Sequence, residues 1–248
     1  MTSGFDSFDE STLGVFVESP LRMRQGELPP SVVWASTLAS VFKLSTTDFT
    51  EIAQAFVTIG DQYGIGGDAM VIWGAVDDGA DEFVQEFSTS DLSPVLGRRS
   101  ANLDAATNLG CGGDESVIRF SDNLETIWKL DPEDFSNDIP PTDGWWDDIN
   151  GIGGDHSFAF FITYGFGFEL MYMVTGGTYE SWRFANFPGT LGGGRGIGGK
   201  SALSGGDGVV YISNYVDAEI WVYDGQMNYV SGPHATTQGG NLYGIGGS

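Results

Sequence analysis

The sequence predicts an all-β fold: a five-bladed β-propeller of four-stranded blades, closed by a C-terminal strand that joins the N-terminal blade. Three observations predict it. A glycine phrase occurs five times, as Tyr63-Gly64-Ile65-Gly66-Gly67, Leu109-Gly110-Cys111-Gly112-Gly113, Asn150-Gly151-Ile152-Gly153-Gly154, Arg195-Gly196-Ile197-Gly198-Gly199 and Tyr243-Gly244-Ile245-Gly246-Gly247. The successive first glycines stand 46, 41, 45 and 48 residues apart, the length of one propeller blade rather than of a helical solenoid unit. A pair of short apolar runs follows the phrase; the first such pair has no phrase before it, and the last phrase has no pair behind it.

Each unit can be justified in order. The first pair is Val32-Val33-Trp34 and Val41-Phe42-Lys43-Leu44, ending in Ser45-Thr46-Thr47-Asp48-Phe49-Thr50. The second is Val71-Ile72-Trp73 with Val84-Gln85-Glu86-Phe87, ending in Ser88-Thr89-Ser90-Asp91-Leu92-Ser93. The third is Val117-Ile118-Arg119-Phe120 with Ile127-Trp128-Lys129-Leu130, ending in Asp131-Pro132-Glu133-Asp134-Phe135-Ser136. Alternation and β-branched or aromatic content make these runs strands, and the Ser-Thr-x-Asp and Asp-Pro-x-Asp pieces are turns whose side-chain oxygens bond the local backbone. The fourth unit reads Phe158-Ala159-Phe160-Phe161-Ile162 and Phe166 to Tyr172 but has lost the turn text. The fifth, after an inserted Ser204 to Gly208, reads Val209 to Ser213 and Glu219 to Gly225.

The first unit and the last phrase complete one another. A blade built from about 31–63 plus 244–248 closes the ring without a covalent bond and removes sheet edges that invite aggregation. The other blades are expected at 64–109, 110–150, 151–195 and 196–243, within one domain spanning 31–248. Glycine suits strands crowded against the ring axis, where a missing Cβ permits close backbone approach. The residue between the glycines is then expected to point into the core between blades, with Cys111 there as a buried thiol. One cysteine excludes an intramolecular disulfide.

Residues 1–30 lie outside the repeat. They start polar and acidic, pass through Leu13-Gly14-Val15-Phe16-Val17 and end at Pro29-Pro30. With no basic segment before a long apolar run, they do not read as a secretory signal, and no run approaches a membrane span. They are expected to be an arm docking on the ring or on a neighbour.

Charge is the second guide. Ten basic residues, of which only Lys43, Lys129 and Lys200 are lysine, stand against 34 acidic ones for a net charge of −24. That balance opposes nucleic acid, whose phosphates need Lys or Arg, and anionic membrane surfaces. Self-repulsion of this size is screened at molar salt, where the Debye length is about 3 Å. An acidic, lysine-poor chain that is still rich in core residues is the composition of a protein from a salt-saturated environment.

Candidate chemistry is sparse. The two histidines, His156 and His234, sit in neither a nucleophile elbow nor a zinc spacing. Gly192 to Ser201 resembles a phosphate loop only in composition and falls on the blade repeat. The residues after the phrases are Asp68, Asp114, Asp155, Lys200 and Ser248, which symmetry gathers into one ring near the axis. Asp68, Asp114 and Asp155 could hold a cation, since hard cations want several oxygens in a small space, or could each bond the backbone at a strand end. No cofactor is expected beyond bound Na, K, Mg or Ca ions. The acids Asp77, Asp78, Asp81 and Glu82, and Asp143 with Asp147 and Asp148, lack the spacing of a calcium loop. Trp145 and Trp146 among aspartates, with Tyr164, Phe166 and Tyr179 of the irregular unit, offer flat apolar faces beside acceptors, the chemistry of a sugar site or an interface hot spot.

The glycine phrase before a Val-Ile-Trp strand and an Ile-x-Lys-Leu-Asp-Pro-x-Asp-Phe hairpin resembles short glycine-rich propeller repeats of uncharacterised prokaryotic and viral proteins. The five-unit layout over 31–248 is similar to the tachylectin family of five-bladed lectins. That resemblance implies the architecture and a sugar pocket in each blade; the loops here differ in length and composition between blades. Taken together, the expectation is a non-enzymatic virion structural protein of a virus of halophilic archaea, a spike or vertex component in assembly and host attachment. Its partners would be other virion or surface proteins, met through the 1–30 arm and one propeller face, and a host surface glycan or glycoprotein. The alternatives are a lectin-like propeller of a halophile, extracellular or cytoplasmic, and a glycosidase-like enzyme using channel carboxylates.

Overall fold

A computed structural model describes residues 32–99, 108–122, 126–143, 148–165, 168–175, 181–189, 193–201, 208–238 and 241–247. The expected arm, residues 1–30, lies outside the described residues, as do Trp145, Trp146, Phe166, Tyr179 and Ser248. Five four-stranded antiparallel sheets form a five-bladed β-propeller. The joint blade runs β20 (Gly244–Gly247), β1 (Val33–Thr37), β2 (Ser40–Leu44) and β3 (Glu51–Phe56). The second blade is β4 (Asp61–Gly67), β5 (Ile72–Asp77), β6 (Glu82–Phe87) and β7 (Pro94–Arg99). The third is β8 (Asn108–Asp114), β9 (Val117–Asp122), β10 (Thr126–Leu130) and β11 (Asn137–Asp143). The fourth is β12 (Asp148–Gly154), β13 (Phe158–Gly165), β14 (Phe168–Thr175) and β15 (Ser181–Asn186). The fifth is β16 (Gly194–Lys200), β17 (Val209–Asn214), β18 (Glu219–Asp224) and β19 (Tyr229–Ala235). Among the described residues no helix is long and apolar enough to cross a membrane.

The ring closes as the unmatched ends of the repeat require. β20 pairs with β1 in the register Val33↔Gly247, Trp34↔Gly246, Ala35↔Ile245 and Ser36↔Gly244, so the last phrase becomes the innermost strand of the first blade. Burial falls from axis to rim. All six residues of β17 are buried, because neighbouring blades cover both faces of the sheet, whereas the outer strands β3 and β19 are exposed or half-buried along their length. Outer strands therefore carry mixed sequences such as Glu51-Ile52-Ala53-Gln54-Ala55-Phe56, and β11 holds Pro140 and Pro141, tolerable on an edge with no further strand to receive their missing N–H groups.

Five apolar clusters fill the five gaps between blades, and the middle residue of each phrase enters one: Ile65, Cys111, Ile152, Ile197 and Ile245. Burial pushes the Cys111 thiol up, which keeps it protonated and inert. The second glycines touch one another around the axis. A Cβ on Gly66 would lie 2.7 Å from Gly112 Cα, on Gly112 2.9 Å from Gly153 Cα, and on Gly153 2.7 Å from Gly198 Cα. The circuit closes with 3.0 Å from Gly198 to Gly246 and 2.6 Å from Gly246 back to Gly66. Backbone meets backbone there, so no side chain can yield, and only glycine fits.

The repeated turns also serve the gaps. Phe49, Leu92, Phe135 and Met227 hold φ of 55°, 60°, 60° and 64°, a left-handed conformation uncommon for bulky residues. Hydrogen bonds hold the turn: Phe49 N–H donates to Ser45 O at 3.0 Å, Leu92 N–H to Ser88 O at 2.9 Å and Phe135 N–H to Asp131 O at 2.8 Å. The geometry swings each apolar side chain back onto the preceding blade. Phe135 meets Trp73 edge-on at 6.0 Å, and Phe49 meets Tyr211 at 6.2 Å.

Candidate functional site

The axis has two mouths, at opposite ends of the innermost strands. At the C-terminal ends, Asp68, Asp114, Asp155 and Lys200 line one cavity with the third glycines Gly67, Gly113, Gly154, Gly199 and Gly247; it measures about 230 Å³ with its open mouth included. The convergence follows from the repeat, since each follows its phrase by one residue. Each aspartate also closes the turn after its strand. Asp68 Oδ1 accepts from the N–H groups of Met70 and Val71 at 2.7 and 3.1 Å. Asp114 Oδ1 accepts from the N–H and hydroxyl of Ser116 at 2.8 and 2.6 Å. Asp155 Oδ1 accepts from Ser157 and Phe158 N–H at 2.7 and 3.0 Å, and its Oδ2 accepts from Ser201 N–H at 2.5 Å.

Asp155 is thus spent on protein donors, and Lys200 supplies positive charge to the same cavity. A cation here would draw on the second oxygens of Asp68 and Asp114. Among the described residues no group of three or more His, Cys, Asp or Glu side chains is placed to hold a metal ion.

The main-chain carbonyls of these aspartates anchor the neighbouring blades. Trp34, Trp73 and Arg119 occupy one position of the repeat, opposite Gly246, Gly66 and Gly112. Trp34 Nε1 donates to Asp68 O at 2.9 Å, Trp73 Nε1 to Asp114 O at 3.0 Å and Arg119 Nη2 to Asp155 O at 2.8 Å. Phe160 and Tyr211 fill the position in the fourth and fifth blades, opposite Gly153 and Gly198. The aspartates therefore belong to a joint between blades as much as to a channel.

At the other mouth stand residues that open the phrases. One β-strand residue rises about 3.3 Å, so the mouths are separated by roughly 16 Å. Tyr63 and Tyr243 meet edge-on at 5.9 Å, Tyr243 and Tyr215 at 4.9 Å, and the Arg195 guanidinium lies 5.6 Å over the Tyr215 ring. Arg195 Nη1 donates to Asn150 Oδ1 at 3.2 Å, and Tyr243 donates its hydroxyl to Tyr215 at 3.4 Å. Burial, then the hydrogen bond with Tyr215, pushes the Tyr243 phenol up to about 12. Burial, and after it the charges of Asp61, Asp77 and Glu82, raise that of Tyr63. Reading only the residue after each phrase misses this arc. The opening residue of each phrase, by the same symmetry, carries the signal as Tyr63, Leu109, Asn150, Arg195 and Tyr243.

The remaining candidates are placed as follows. Tyr164 pairs with Glu169 near the end of β13 and is 37 % exposed; Trp145, Trp146 and Phe166 lie outside the described residues. Asp77 and Asp78 close their own turn, with Oδ1 atoms accepting from Gly79, Ala80 and Asp81 N–H groups. His234 packs on Phe49 with ring centroids 4.9 Å apart and shares a hydrogen bond with Ser231 Oγ. Exposed apolar side chains stand along the rim, Ile52 and Phe56 on β3 and Tyr229 and Val230 on β19 of the adjoining blade, and also in turns at Met70 and Val216. Past the end of β19, the Gln238 side chain donates a hydrogen bond to Glu51 at the start of β3.

This geometry defines the class: a five-bladed propeller with two chemically different axial mouths. No protein-family model matches the chain, and no curated protein sequence matches it. Among solved structures it is similar to a chain from the crystal structure of a nidogen/laminin complex, at 12 % identity and a TM-score of 0.59, covering 87 % of this chain and 97 % of that one. A KlHsv2 chain with loop 6CD replaced by a Gly-Ser linker matches at 8 % identity and a TM-score of 0.43, covering 82 % of this chain and 66 % of that one. The first likeness shows the propeller fold; the second adds nothing to it.

Proposed function

We propose that this chain is a non-enzymatic binding propeller and a virion structural protein of a virus of halophilic archaea, acting at a spike or vertex in assembly and host attachment. The observation that carries it is a net charge of −24 with three lysines on a closed ring that exposes apolar side chains along β3 and β19. Acidic repulsion keeps such a surface hydrated at molar salt, while an apolar strip on a rim suits contact with another protein. The nidogen/laminin structure is a complex, which supports a partner-binding use of the ring by analogy. The glycine-rich repeats of prokaryotic and viral proteins, and the tachylectin-like layout, support a surface role in the same way. The arm of residues 1–30 and one propeller face would meet other virion proteins. No cofactor enters this reading beyond salt ions.

Against a glycosidase-like reading stands the use of Asp68, Asp114 and Asp155 Oδ1 atoms to close turns. Turnover of a glycan that Asp114→Asn abolishes would reverse that judgement. The direct test is electron microscopy of particles purified from the native source at molar salt. The reading expects the chain at a projecting position on a larger particle; recovery only as a free monomer would overturn it.

A further inference from the structure

We infer that the tyrosine-lined mouth of the axis is a receptor for a terminal acidic sugar, a hexuronate or a sialate, with Arg195 taking its carboxylate. This rests on the attachment reading above and names the ligand class of one site. Arg195 is half-buried on β16 and positioned from two sides, by Asn150 Oδ1 at 3.2 Å and by the Tyr215 ring. Among the described residues it forms no ion pair, and its Nε is buried with no hydrogen-bond partner. In a chain with 34 acidic residues and 10 basic ones, a guanidinium held at the axis without a carboxylate of its own is out of keeping with simple charge pairing. Its planar fork matches an external carboxylate.

The rest of the mouth suits a sugar ring. Tyr215, Tyr243 and Tyr63 form a chain of steeply inclined rings, at 73° and 90°, which presents both aromatic faces and phenol hydroxyls. A pyranose needs both, an apolar surface for its C–H face and donors or acceptors for its hydroxyls. Charge orients it. Asp61, Asp77 and Glu82 act on Tyr63, so that side repels an anion and favours hydroxyls, leaving the carboxylate to the Arg195 side. Beneath the mouth the second glycines close on one another around the axis. The site is therefore a floored cup, which admits a terminal residue and not a chain threading the ring.

The test is calorimetric titration of the full chain at molar KCl with methyl glucuronide and N-acetylneuraminic acid. Methyl glucoside, which keeps the ring and loses the carboxylate, and a glutamate-containing peptide serve as comparators. The inference expects saturable binding of an acidic sugar, about tenfold or more tighter than methyl glucoside, the worth of one charge-assisted pair. Arg195→Gln should erase that discrimination, and Tyr243→Ala should weaken both sugars. The wild-type comparison of acid with neutral sugar stands even if a variant fails to fold. Equal binding of the two sugars, no binding of either acid, or preference for the peptide would each overturn the inference. A chain that binds the acid but is absent from particles would overturn the virion reading alone, and one that projects from particles but ignores both acids would overturn only this inference.

Discussion

Arg119 Nη2 donates to the main-chain carbonyl of Asp155 at 2.8 Å, across the gap between the third and fourth blades. Trp34 and Trp73 make the same reach in the two preceding gaps. The tryptophan joints are covered by a left-handed apolar residue of the next blade, Leu92 in the cluster with Trp34 and Phe135 against Trp73. The fourth blade lacks that turn text, reading Gly176-Gly177-Thr178-Tyr179-Glu180 between its strands, and there arginine stands in the tryptophan position, adding His156 O at 3.4 Å to its acceptors. Where the apolar cover is missing from the sequence, a more polar anchor replaces the indole.

Arg119→Ala should therefore be costly. It leaves a fully buried site empty and the Asp155 carbonyl without its donor, a loss of about 2–4 kcal/mol. Trp73→Phe, which removes the Nε1–H donor and shrinks the buried indole to a single ring, should cost about 1–3 kcal/mol. Urea unfolding at molar salt measures both; a Trp73→Phe variant as stable as wild type would mean that neither the bond across the gap nor the buried indole volume contributes to stability.

Deleting Tyr243 to Ser248 removes β20, takes Ile245 from a core cluster and strips β1 of one of its two partners. The whole ring should lose stability, by more than about 4 kcal/mol, because every blade leans on two others. Cooperative melting at the wild-type temperature would contradict the closure.

Alkaline pH should weaken the fold through the tyrosine mouth. The Tyr243 phenol is raised to about 12 in the folded chain against about 10 unfolded, so its contribution is complete below pH 10. It is lost as pH rises through 12, since the unfolded chain gives up the proton first. Tyr243→Phe cannot ionise and should show a smaller decline in melting temperature across that window; an identical decline in both proteins would assign it elsewhere.

Salt should matter more than for a balanced protein. With a net charge of −24, the melting temperature should climb from roughly 0.1 M to 1 M KCl as the Debye length falls from about 10 to about 3 Å. A flat response would mean that specific ion pairs or hydrogen bonds, and not screening, hold the ring.

The repeat determined the blade count, the closing strand and the inward turn of Ile65, Cys111 and their counterparts, because glycine spacing and apolar runs are local patterns that crowding at an axis imposes. It also placed Asp68, Asp114 and Asp155 in one ring. The outer strands β3, β7, β11, β15 and β19 were not legible as repeats, since a rim strand is paired along one edge only and so tolerates a wider mixture, even Pro140-Pro141. Tertiary structure alone decided that Trp34, Trp73 and Arg119 are one position with one task, and that Tyr215, from a loop outside the phrase, joins Tyr63, Tyr243 and Arg195. The physical reason is that these contacts cross from blade to blade: a strand's own sequence records what its position must exclude, whereas its partner is set by the neighbouring blade, some forty residues away along the chain.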